Sequence, residues 1–124
     1  MSRVAATFLL VLSLAGCAAT ADEAITLSPA ARAGRDVARS NGCAACHGAN
    51  GQGGVGPAFV GLYRSDRELI DGSIVVADSD YLYESITQPG AKLVAGYRGR
   101  MPSNNLDDAQ IASITAWIEE LGTP

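Results

Sequence analysis

The sequence predicts an all-α domain of three or four short helices, joined by long loops that close around a cofactor. Three observations predict it. Near the C-terminus, Ile111, Ile114, Trp117, Ile118 and Leu121 recur at helical spacing. A Cys-x-x-Cys-His segment stands at 43–47. Behind it, Gly48 to Gly61 holds six glycines and one proline, too many for a regular element. Loops of this length fit a small domain poorly unless they enclose something. With 6% aromatic residues in 124, the chain gains a core by wrapping a large apolar group.

Residues 1–16 read as an export signal of the lipoprotein type. Arg3 precedes an almost wholly apolar run, Val4 to Leu14, of signal-peptide length and too short to span a bilayer. Leu14-Ala15-Gly16-Cys17 then resembles a lipobox, with small residues before the cut and a thiol to acylate after it. A plain signal cut after Ala19-Thr20-Ala21 also fits the small-x-small rule. Both place the mature protein outside the cytoplasm. Lipidated at Cys17 it is membrane-anchored and faces the periplasm or outer surface, since two acyl chains suffice to hold it; cut at Ala21 it is soluble in the periplasm. Later stretches lack the length and apolarity of a membrane-spanning helix.

Residues 17–28 are small and polar, a tether, and 29–124 form the folded domain. Ser28 is a helix N-cap and Pro29 suits the first helical position, giving a helix to about Ser40. Ala30, Ala33, Gly34, Val37 and Ala38 share its inner face, with Arg32, Arg35, Asp36 and Arg39 opposite. Asp71-Gly72, between apolar neighbours in Leu69–Val76, predicts a short β-hairpin. Asp80 caps a helix from Tyr81 to Gln88 that Pro89-Gly90 stops. Asp107, with Gln110 three residues on, has the form of a capping box, and Gly122 ends the last helix.

Cys43-Ala44-Ala45-Cys46-His47 carries the chemistry. The pattern is that of covalent haem c attachment. Thiols three residues apart on a helical turn face the same way, so both reach the two vinyl groups of one porphyrin, and the next residue, His47, turns its imidazole to the iron. A zinc site lacks further ligands, because His47 is the only histidine and Cys17 is remote. A dithiol redox pair lacks its βαβ setting. A single histidine rules out bis-His ligation. Met1 leaves with the signal, so Met101, 54 residues after His47, is the candidate sixth ligand; a core methionine is the plainer reading of the residue alone. His/Met ligation raises the haem potential. Pro57 stands where a backbone carbonyl could accept the other imidazole N–H, or is simply a turn proline.

These residues resemble the class I cytochrome c pattern: Gly34, the haem motif, Gly56-Pro57-Ala58-Phe59, Met101-Pro102 and Trp117. The stretch Gly42 to Pro57, together with Ala77-Asp78, Tyr81-Leu82, Glu84-Ser85-Ile86 and Val94-Ala95-Gly96-Tyr97, is most similar to the haem domain fused to subunit II of caa-type cytochrome c oxidases. The resemblance covers about residues 29 to 121. It implies a class I cytochrome c fold whose first and last helices cross near Gly34 and Trp117. It also implies that Pro57 supplies its carbonyl to His47 and that Phe59 packs against the haem. This chain has neither the copper-binding domain nor the membrane helices of that subunit.

The formal net charge is −4; without Arg3 it becomes −5, from 8 basic and 13 acidic side chains. That balance argues against nucleic acid as a partner. The expected function is a non-enzymatic one: a single-haem, one-electron carrier in a respiratory chain, a monomer or a subunit of a redox complex. Its partners are redox proteins, an oxidase or reductase on one side and a quinol- or cytochrome-side donor on the other. A haem sensor or peroxidase is the competing class, with only Arg98 and Arg100 beside Met101 to assist. Arg32, Arg35 and Arg39 form either a docking stripe or a solvated face.

Overall fold

A computed structural model of the chain describes residues 26–122. The export signal, Cys17 and the tether up to residue 25 lie outside the described residues. Six elements follow one another: α1 (Pro29–Ser40), α2 (Ala44–His47), β1 (Asp66–Glu68), β2 (Ile74–Val76), α3 (Ser79–Thr87) and α4 (Asp108–Glu120). The domain is mainly helical, as expected. Among the described residues no helix is long and apolar enough to cross a membrane.

α1 begins where Ser28 Oγ accepts the Ala31 N–H at 3.1 Å, and Pro29 occupies the first turn without costing a hydrogen bond. Its buried residues are Ala31, Gly34 and Ala38, with Val37 packed beside them. Ala30 and Ala33 are exposed, so the inner face is narrower than the alanine spacing implied. The reason is α4, which crosses so near that only residues on the i, i+3, i+7 line meet it. A Cβ on Gly34 would overlap the Ser113 carbonyl and lie 3.0 Å from the Ile114 nitrogen.

α4 is capped as the sequence predicts. Asp107 accepts the Gln110 N–H at 2.8 Å, and the Gln110 side chain accepts the Asp107 N–H at 3.0 Å. Ile111, Ile114, Trp117 and Ile118 are buried, with Leu121 beyond them. Each aliphatic side chain contributes about 1.5–3 kcal/mol by leaving water. Glu120, at the far end, accepts from both the Ser28 N–H (2.8 Å) and the Ser28 hydroxyl, tying the end of α4 to the start of α1.

α3 starts two residues earlier than expected. Asp78, not Asp80, is the cap, accepting the Tyr81 N–H at 2.8 Å. The hairpin is present but its strands lie outside Leu69–Ile70: Asp66, Arg67 and Glu68 pair with Val76, Val75 and Ile74. The five-residue turn closes on Asp71, whose Oδ1 accepts from the Ser73 N–H and hydroxyl at 2.9 and 2.6 Å. An antiparallel bridge, Leu69 to Val94, fastens the turn to the segment that leads to Met101.

Candidate functional site

Cys43, Cys46 and His47 sit on and beside one helical turn. Cys43 precedes α2, and its carbonyl accepts the Cys46 and His47 N–H groups at 3.2 and 3.0 Å. That hydrogen bonding places both sulfurs on the same side. The glycine-rich loop then folds back over the turn. Gly53 N–H donates to the His47 carbonyl (2.8 Å) and Gly56 N–H to the Cys46 carbonyl (3.0 Å). The backbone passes so close that a Cβ on Gly56 would lie 3.0–3.3 Å from three atoms of the His47 ring. Arg39 holds the loop's entry, donating to the Ala49 carbonyl at 2.9 Å and to the Asn50 side chain at 2.8 Å. Arg35 pairs with Asp36. The three α1 arginines thus do not form one free stripe.

The loop delivers Pro57 to the imidazole. His47 Nδ1 and the Pro57 carbonyl oxygen are 2.7 Å apart. A carbonyl only accepts, so the proton sits on Nδ1, and Nε2 keeps its lone pair free for a metal. Phe59 lies on the other flank, stacked on the His47 ring at 4.4 Å between centroids and 20° between planes. Trp117 meets Phe59 edge-on at 5.5 Å, which connects the imidazole's packing to α4.

His47 opens onto a cleft made of two adjoining cavities of about 270 and 170 Å³. Both are lined by Cys43, His47, Pro57 and Met101, and Cys46 lines the second. Met101 stands on the loop before α4. The remaining walls are largely apolar, with Leu82 and Ile86 from α3 and Ile114 and Ile118 from α4. Lys92, Arg98 and Arg100 also line the cleft, and two further polar atoms, Arg67 Nε and Ser85 Oγ, are buried with no hydrogen-bond partner among the described residues. Unpaired buried polar atoms are costly, and here they face a cavity. The sequence reading missed both. The signal for Arg67 was a lone cation between Asp66 and Glu68 in a strand, since alternation turns residue 67 inward with Val75.

The cleft fits haem c. It offers two thiols, an imidazole nitrogen and a thioether around an apolar slot, and an unpaired guanidinium and hydroxyl suited to the porphyrin's carboxylates. Burial pushes the Cys43 thiol above its ordinary range, partly offset by a hydrogen bond from its own backbone and reinforced by Cys46. A redox dithiol needs the opposite shift. Among the described residues no group of three or more His, Cys, Asp or Glu side chains is placed to hold another metal.

Residues 31–122 match the Cytochrome c family. The chain belongs to the cytochrome c family. Members carry haem c bound covalently, and Cys43 and Cys46 are the two cysteines of a Cys-x-x-Cys-His attachment motif. The helices and the two-stranded sheet agree with the class I fold. The chain is 36% identical over 100 residues to the Cbb3-type cytochrome c oxidase subunit CcoP of Azospirillum brasilense, an alignment that covers 78% of this chain and 30% of that protein. This cytochrome c domain thus spans about a third of that relative. The relative is an oxidase subunit of the cbb3 type, where the sequence motifs had resembled the caa type.

Proposed function

We propose that the protein is a single-haem c-type cytochrome that carries one electron at a time, outside the cytoplasm, between redox proteins of a respiratory chain. The observation that carries the reading is the pairing of His47, its Nδ1 held by the Pro57 carbonyl, with Met101 in the lining of the same cleft. In this reading Cys43 and Cys46 would hold the haem covalently through thioethers, and His47 Nε2 and the Met101 sulfur would be the side-chain atoms that bind its iron. When bound, the haem supplies a one-electron redox couple.

The chain's own residues do the rest. Pro57 fixes the imidazole's tautomer and orientation. Phe59, stacked on the ring, and the close backbone at Gly56 limit how the ring can turn. Met101, bound to the iron, would keep small ligands out, and a thioether ligand would favour the reduced state and raise the potential. Arg67 and Ser85 receive the carboxylates. The similarity to an oxidase subunit supports a terminal oxidase, or another exported reductase, as electron acceptor. Cys17 is the lipid anchor.

Haem content per chain and the visible spectrum test this. We expect one haem c per polypeptide and, in the oxidised protein, the long-wavelength Met–iron charge-transfer band. Met101→Ala should abolish the band and open the protein to carbon monoxide. Native protein that lacks the band and takes up carbon monoxide would establish a sensor or peroxidase instead. Cys17→Ala should move the protein from the membrane fraction to the soluble exported fraction.

A further inference from the structure

We infer that the β1–β2 hairpin is the strut that positions Met101: it holds the chain at Leu93–Ala95, so that only a short stretch of loop is left free around the thioether. The inference rests on the reading of Met101 as an iron ligand and adds to it the element that positions that residue.

The hairpin is fastened from base to tip. At the base the Arg64 N–H donates to the Ala77 carbonyl and the Ala77 N–H to the Ser65 carbonyl, both at 2.9 Å. At the tip the Leu69 N–H donates to the Ser73 carbonyl at 2.8 Å, and the Asp71 carboxylate accepts from Ser73. Along an antiparallel pair the backbone groups of successive residues alternately face the partner strand and face away. Leu69 faces Ser73, so Glu68 and Ile70 turn their backbone groups to the opposite edge. That edge is occupied. The Glu68 carbonyl accepts the Ala95 N–H and the Ile70 N–H donates to the Leu93 carbonyl, both at 2.9 Å, on either side of the Leu69–Val94 bridge. Leu69 is itself buried, which sets this junction into the body of the domain. The chain at 93–95 is thus carried by the hairpin.

Beyond it the chain loses its ties. Val94-Ala95-Gly96-Tyr97 turns with Gly96 at φ +85°. From Arg98 to Ser103 no hydrogen bond or ion pair joins the chain to the other described residues. The next tie is Asn104, whose side-chain amide donates to the Ile86 carbonyl at 2.8 Å. Met101 lies within that span, half-buried, in the lining of both cavities. The improbability of holding a loop closed grows as about the three-halves power of its length. Released from the hairpin, the free stretch would grow from Arg98–Ser103 to Leu93–Ser103, close to double. Met101's hold on the iron should then weaken roughly two- to threefold.

Free imidazole competes with Met101 for the ferric iron of the haem-loaded protein, so its apparent affinity reads that hold. Ile70→Pro removes the donor to Leu93. Ala95→Pro removes the donor to Glu68, at the first central position of a turn whose second has positive φ, where proline is favoured. Each should raise the imidazole affinity roughly two- to threefold, and the long-wavelength Met–iron band should melt at a lower temperature than the helical circular dichroism. Ala95→Pro decides the matter if Ile70→Pro does not take up haem. Ile70→Ala keeps the N–H and should match the native protein. Ser28→Ala loosens the tie between α1 and α4; it should lower the thermal midpoint and leave the imidazole affinity unchanged.

Native or lower affinity in the proline variants overturns the inference. So does a rise in Ser28→Ala as large as theirs, which makes Met101's hold a matter of overall stability. In both cases a native Met–iron band leaves the His47/Met101 reading standing while the strut falls. Native protein that lacks the band removes that reading and the strut together.

Discussion

At Gly34 the backbone of α1 lies against the Ser113 carbonyl of α4, with room for a hydrogen and no more. Alanine in mid-helix normally gains about 0.5–1 kcal/mol over glycine. Here the added methyl meets backbone, which cannot swing aside, and forcing extra volume into such a contact costs about 1–3 kcal/mol. Gly34→Ala should therefore be destabilising, lowering the thermal midpoint by several degrees in the haem-loaded protein, with urea unfolding reporting the same sign. The sequence marked Gly34 through its place in a pattern, but it could not show that Ser113 was the neighbour. The grouping of Cys43, His47, Pro57 and Met101 was legible for a better reason: a motif with one histidine and one available methionine leaves few choices. Phe59 was legible only as a residue near the haem. Its stack on the imidazole depends on how the loop from Gly48 to Gly61 turns, which hydrophobic pattern does not encode. Ser85 was legible only as part of the Glu84-Ser85-Ile86 resemblance and not as a cleft residue, because a hydroxyl becomes informative only when its partners are known to be missing.

The ends of α1 and α4 meet at one carboxylate. Hydrogen bonds from the Ser28 hydroxyl and backbone N–H, with a smaller contribution from Arg32, hold the Glu120 carboxyl below the usual glutamate range. A lowered folded-state value means that the contact's stabilisation is complete above the unfolded glutamate pKa, about 4.3. It is lost as acid carries the pH down through the folded value. Glu120→Gln should lower the thermal midpoint in the neutral region, where the contact is complete, and leave the acid end little changed, so that a plot of thermal midpoint against pH is flatter on its acid side. Where element boundaries differed from expectation, a local tie decided them. The Ala77 N–H donates to the Ser65 carbonyl and its carbonyl accepts the Arg64 N–H, which keeps the chain extended up to Asp78 and makes that residue the cap. The Asp71-Gly72 pair located the hairpin but mis-sized it. The Asp71 side chain closes a five-residue turn, so Leu69 and Ile70 fall in the turn and the strands begin outside them. Capping boxes and helical periodicity were the most legible signals because they are local, and α4 matched on both.

For the whole molecule, the all-α class and the reason for its long loops were both legible. The walls of the cleft were not, since Leu82, Ile86, Ile114 and Ile118 sit at ordinary core spacing and nothing in that spacing separates a core from the lining of a slot. The carboxylate bridge between Ser28 and Glu120 has a further consequence at this scale. It brings the two ends of the folded body into contact, so the order in which the helices are strung is not itself part of the architecture. A circular permutant that joins residues 122 and 27 through a short glycine linker, and opens between Asp71 and Gly72, where a Cβ would meet nothing within 4 Å, should keep its helical circular dichroism and cooperative unfolding. One opened between Gly53 and Gly54 should lose both, because that cut severs the backbone that grips the haem motif. By that test the protein is a closed ring of packing contacts with one opening that matters, and the other breaks in the chain can be moved.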